Sequence, residues 1–257
     1  MKKIILLATI GLFGFSFNKI RSFVPPGTVQ INDSLFADEC EISNFAWQEY
    51  ESWVSTIYGP KSKQHLAVLP DTSVWTKAKS FNMPYMNHYY RHPAYKEYPV
   101  VGITYEQAIE FCKWRTERVK TYLTIKKDFK NQNLEYKLPT KEQWEKIAEA
   151  SSVFLTNGGL DLQGRYKFNF ADVTDSVVYK PVANELADVT APVKSYLKNA
   201  FGIYNILGNV AEMLQEKGIS KGGAWNMDLE KCRIGNEVSY TQTESWLGFR
   251  CICIVRK

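Results

Sequence analysis

The residues in this chain best suited to chemistry are sulfurs. Lys221 to Cys232 reads KGGAWNMDLEKC, with a paired glycine, a tryptophan, a methionine at 227 and a cysteine nine positions past the second glycine. The stretch is either what is left of a metal-binding active site or a turn leading into a strand. Cys40, Cys112, Cys251 and Cys253 bring the cysteines to five, so at most two disulfides can form and one thiol is left over. Cys112, in AIEFCKW, shares the inward face of a helical pattern with Ala108 and Phe111 and reads as a buried, inert thiol. Cys251 and Cys253 alternate in CICIV and so share one face of a strand, where they read as core. Neighbours two apart on a strand do not readily reach disulfide geometry. His88 and His92 form a His-x-x-x-His, but Pro93 follows at once and disfavours the helix that would bring both rings to one face.

The elements that must position these groups are few. Ser43 or Asn44 caps a helix with a mixed apolar face of Phe45, Tyr50, Trp53 and Val54. In PVVGITYEQAIEFCKWRTERV, Thr104 and Gln107 make a capping box, and the stripe Ala108, Phe111, Cys112, Arg115 and Val119 follows. Arg115 is expected to bury its stem and keep its head in water. Thr140 and Gln143 make a second box, opening a helix that turns Trp144, Ile147 and Ala148 inward. TVQIN, SLFADECEIS, KGGAW and GFRCICIV are strand-like. Gly59 to Pro99 lacks a sustained period and reads as long aromatic-pinned loops, TIKKDFKNQN as a charged surface excursion, and Ser151 onward as loop-dominated. Short strands, two boxed helices and long ordered loops predict an α+β domain whose loops make up much of its body. Arg250, in GFR, is expensive to bury unless paired and is expected to engage a carboxylate or carbonyls inside. Trp114, Trp144, Trp225 and Trp246 read as core, while Asn226 and Glu237 are candidates for lining a groove.

At 45% apolar and 14% aromatic over 257 residues, the chain has ample material for a large core. Residues 1–22 begin with two lysines and about fourteen mostly apolar residues, which fits an export signal or short membrane anchor better than a full span. Lys2, Lys3, Lys19 and Arg21 supply four of the formal +5 charges, and the rest of the chain, at about +1, argues against a nucleic-acid partner. Contact with a membrane is expected only through this segment.

In order, PVVGITYEQAIEFCKWRT, YKLPTKEQWEKIA, NAFGIYNILGNVAEM, KGGAW and GFRC resemble the formylglycine-generating enzyme and sulfatase-modifying-factor family, over residues 24–257. The resemblance implies a fold related to C-type lectins, with small sheets, few helices and long packed loops. LPDTSVW and HPAYKEYPVVGITYEQAIEFCKWRT look like the gliding-motility and type IX secretion lipoproteins that carry the same domain.

The resemblance also says which residues could hold metals. Oxidases of this family bind copper(I) through two cysteines five residues apart, and soft thiolates suit that ion. Here the second position is Cys232, the first is Met227, and a serine of the oxidases is Ala224. A thioether is soft, yet it cannot be deprotonated. The iron-dependent sulfoxide synthases of the family use His-x-x-x-His-x-Glu, whose carboxylate is missing after His92. Calcium suits oxygen ligands in long loops. One implied site uses Asn169 with the Phe170 carbonyl and Glu185 with the Ala187 carbonyl, and a second uses Gly208, Val210 and Glu212, where Ala211 replaces the family's tryptophan. The expected function is an exported, non-catalytic binding or assembly module of the periplasm or cell envelope, with envelope or secretion-system proteins as partners. The alternative is a copper-dependent oxidase acting on a protein cysteine.

Overall fold

A computed structural model describes residues 23–76, 83–126, 133–171 and 189–256. The export segment, the charged excursion from Lys127 to Gln132, and Glu185 with Ala187 lie outside the described residues.

The first sheet joins the two ends of the chain. Strand β1 (Thr28–Gln30) pairs with β2 (Leu35–Asp38), and β3 (Asn133–Lys137) forms the far edge. The last strand of the fold, β8 (Ile252–Arg256), runs antiparallel between β2 and β3, with Cys253 opposite both Phe36 and Tyr136. Side chains alternate across a strand, so Phe36, Tyr136, Cys251 and Cys253 enter one apolar cluster, while Leu35, Ala37 and Ile252 enter another. The shared face inferred for Cys251 and Cys253 is therefore present.

Helices cover both faces. Helix α1 (Asn44–Tyr58) starts where the Ser43 hydroxyl accepts from the Ala46 N–H at 3.2 Å. It buries Trp47, Tyr50 and Val54 and leaves Phe45 exposed, so its inward face is turned one step from the expected one. Helices α2 (Lys63–Ala67) and α3 (Met83–His88), with 3-10 turns at Thr72–Thr76 and Pro93–Tyr95, occupy the stretch expected to be loop. These pieces are too short to show a 3.6-residue period, and their local signals are caps alone: Ser62 accepting from His65 N–H, Asp71 from Ser73 N–H and His92 from Ala94 N–H.

Helix α4 (Tyr105–Thr124) packs on β3 and α5 (Lys141–Ala148) on the opposite cluster, each with its capping box formed. In the first box Gln107 N–H donates to Thr104 Oγ1 at 3.1 Å, and Gln107 Oε1 receives the Thr104 N–H at 2.7 Å. Trp144, Ile147 and Ala148 are buried as expected. Arg115 departs from expectation: its side chain is only 16% exposed, and the head leaves water for Asp38.

The second sheet is smaller, with β4 (Ala211–Met213), β5 (Ile219–Lys221), β6 (Val238–Ser239) and β7 (Leu247–Gly248) in the order β6-β5-β4-β7. The strand in KGGAW ends at Lys221, before the glycines. Long loops around this sheet carry the sulfur-bearing stretch.

Candidate functional site

Beyond β5 the backbone turns through Gly222 at φ +95° and Gly223 at φ +67°, a region side chains rarely tolerate. Space makes the same demand. A Cβ on Gly223 would overlap Cys232 Sγ and lie 2.9 Å from Cys232 Cα, and one on Gly222 would lie 2.9 Å from the Ile206 carbonyl. The paired glycine therefore lets two backbone segments pass against each other, and Cys232 fills the space beneath. The crossing is tied by Gly208 N–H donating to Gly222 O at 2.7 Å and Trp225 N–H to Asn209 O at 3.0 Å.

Cys232 is fully buried in the second apolar cluster. Burial pushes its thiol up to about 12, the Asp228 charge adds to this, and the Ala224 and Gly208 backbone N–H groups oppose it. Met227 packs, half-buried, on the first cluster instead. Copper(I) calls for thiolates converging on one point. With a thioether in place of one thiolate, seated on a different apolar cluster from Cys232, the pair does not fit that ion. Among the described residues, no three of His, Cys, Asp and Glu gather as a metal-holding group.

The polar heart of the fold lies next to this crossing. Arg250, fully buried, donates from Nε to Glu212 Oε1 at 2.7 Å, from Nη1 to the Asp38 carbonyl at 3.0 Å and from Nη2 to the Tyr204 carbonyl at 2.9 Å. The sequence-based expectation that Arg250 pairs inside the fold holds in full. Glu212 Oε2 receives the Trp144 indole N–H at 2.8 Å. Glu41, also buried, accepts from Asn209 Nδ2 at 2.8 Å and from Asn205 Nδ2 at 3.4 Å. Asn209 adopts φ +62°, which its short amide tolerates. In that posture its Oδ1 receives the Ala191 N–H at 2.6 Å and Asn169 Nδ2 at 3.3 Å.

This geometry tests the two implied calcium sites. At Gly208, Val210 and Glu212 both carboxylate oxygens are engaged and a guanidinium sits on one of them, so the charge a divalent ion requires is already neutralised. That donor set does not fit calcium. At the other site, Asn169 Nδ2 donates to the Val189 carbonyl at 3.0 Å, which leaves the amide oxygen as the atom that would face an ion. Phe170 is buried beside it.

Other candidates disperse. His92 Nδ1 accepts from Ala94 N–H at 3.2 Å, capping the short 3-10 turn, and its ring centre lies 6.1 Å from that of His88. Glu237 pairs with Lys141, and Asn226 is exposed. Trp144 is buried, while Trp114, Trp225 and Trp246 pack half-buried on the first cluster. Sequence reasoning passed over Asp38, Glu41 and Asn205. For Asp38 and Glu41 the imperfect alternation of apolar and acidic residues in LFADECEIS was a signal that carboxylates point inward there, and Asn205 had none.

The family model for the sulfatase-modifying factor enzyme 1-like domain matches residues 5–255, and the chain belongs to that family. The chaperone protein LppX of Paenibacillus barcinonensis is 31% identical over 168 residues, covering 51% of this chain and 60% of that protein. The formylglycine-generating enzyme of Bos taurus is 23% identical over 274 residues, covering 85% of this chain and 65% of that protein. The chain thus spans less than two thirds of either relative. Among solved structures, CarF superposes with a TM-score of 0.53 at 15% identity, covering 86% of this chain and 87% of its own. The α+β, loop-rich fold expected from the sequence is the fold of this family.

Proposed function

We propose that this chain is a non-catalytic member of its family, exported and used as a binding or assembly module of the cell envelope. The observation that carries the reading is the surroundings of Cys232: it is fully buried, the position of a second thiol holds the thioether Met227, and that thioether packs on a different apolar cluster. The lysine-led apolar amino terminus supports export. A relative named a chaperone protein is in keeping with a binding role for the fold. Titration with copper(I) tests the reading: weak, substoichiometric uptake that Cys232→Ser and Met227→Leu leave unchanged is expected. Stoichiometric binding lost in both variants overturns it.

Calcium at the site of Asn169, Phe170, Glu185 and Ala187 belongs to the same proposal, as a structural ion that would tie the loops together through oxygen ligands. Excess chelator is then expected to lower the melting temperature, and added calcium to restore it. An unchanged melting curve counts against this site.

A further inference from the structure

We propose that Glu41, Asn205 and Asn209 form a proton-held latch that fastens the segment 189–193 to the body of the fold and lets it open, short of global unfolding, as pH rises. The inference is independent of Cys232 and of any catalytic role there.

The latch is built from two side-chain amides that each face both ways. Asn209 Nδ2 donates to Glu41 Oε1 at 2.8 Å and to the Ala191 carbonyl at 3.2 Å, while its Oδ1 accepts the Ala191 N–H at 2.6 Å. Asn205 Nδ2 donates to Glu41 Oε2 at 3.4 Å and to the carbonyls of Pro192 and Val193 at 3.3 and 3.2 Å. Both asparagines hold the left-handed backbone that short amides tolerate, with φ +47° at Asn205 and +62° at Asn209. Elsewhere the segment is tied by Asn169 Nδ2 at the Val189 carbonyl, by the Thr190 and Tyr89 hydroxyls at 2.7 Å, and by Val193 N–H on the Glu97 carbonyl at 2.7 Å.

Glu41 is the member of the latch that can change charge. It is only 2% exposed and forms no ion pair among the described residues. The groups that face it are Arg250, held on Glu212 at 2.6 Å, Glu212 itself, the Tyr89 hydroxyl and the neighbouring Cys40 thiol. A carboxylate there would be buried with no cation of its own, which is costly, and burial pushes the carboxyl up to about 8. The closed latch therefore keeps a proton, whereas a latch opened to water ionises at the ordinary value of 4.5. Opening releases that proton, so between about 4.5 and about 8 the opening equilibrium rises about tenfold per pH unit. Above this range it levels off.

Amide hydrogen exchange of the full chain, followed by NMR between pH 5 and 7, tests the latch, with chelator present so that no ion at Asn169 contributes. Once the intrinsic exchange rate is divided out, the protection of the Ala191 and Val193 amides is expected to fall about tenfold per pH unit. It should also stay below that of the β8 amides at each pH, because the segment opens without the sheet. In Glu41→Gln the protection of Ala191 and Val193 should not vary with pH; if that variant does not fold, the slope in the wild type decides. Protection independent of pH in the wild type, the same slope in Glu41→Gln, or protection at Ala191 and Val193 equal to that of β8 would overturn the proposal.

Discussion

Glu212 and Arg250 meet inside the protein with neither side chain exposed, Nε and Nη2 of the guanidinium lying 2.7 and 2.6 Å from the same carboxylate oxygen. The pair joins β4 of the second sheet to the residue that leads into β8 of the first. Arg250 also closes on the carbonyls of Asp38 and Tyr204, so one side chain gathers four segments of the chain.

Breaking that pair from either side strands a buried charge, which costs about 3–5 kcal/mol. Arg250→Met and Glu212→Gln are each expected to shift the urea unfolding midpoint down by a loss of that size, the arginine variant more because it also abandons two carbonyls. The double variant Arg250→Met/Glu212→Leu should recover part of the loss. Single variants that unfold with the wild type would show that the pair is not structural.

Glu41 makes stability depend on pH in an unusual direction. Burial pushes its carboxyl up to about 8, the Arg250 charge pulls the other way, and Glu212 adds to the rise. The folded chain therefore keeps a proton that the unfolded chain releases once pH passes the ordinary value of 4.5. Stability contributed by this group falls as pH rises between about 4.5 and about 8. Chemical unfolding at pH 5, 6, 7 and 8 should show the decline, and Glu41→Gln should flatten it. An equal slope in the variant would exclude Glu41 as its source.

How much of this was legible beforehand followed from the range of each interaction. The capping boxes of α4 and α5 are local, and Thr104 with Gln107 and Thr140 with Gln143 could be read from spacing alone. Arg250 could be read as paired because a buried guanidinium has no other stable state, but Glu212 lies 38 residues away and nothing local names it. The capping spacing of α4 likewise says nothing of Asp38, 77 residues from Arg115, so the head of Arg115 was expected in water. The helices between Gly59 and Pro99 were missed because elements of five or six residues depend on tertiary contacts rather than a periodic face.

Cys112 and Cys251 were read separately as core thiols, and the fold sets them together, sulfur to sulfur at 3.5 Å across 139 residues of sequence. Both are buried, and burial together with the Cys112 contact pushes the Cys251 thiol well above its ordinary value. Neither is expected to react with N-ethylmaleimide in the folded protein, while both are modified after denaturation, as read by mass spectrometry of a digest. Modification of either thiol in the folded protein at the rate of a free cysteine would contradict the prediction.

The state of Cys232 carries the account, and the reaction it would have to perform tests that account most directly. A cysteine-containing sulfatase-motif peptide, incubated with the copper(I)-loaded protein and oxygen and followed by mass spectrometry, is expected to keep its cysteine while an active formylglycine-generating enzyme converts it in parallel. Conversion by this chain would contradict the account: it would mean that Met227 and Cys232 form a working site despite their separate packing.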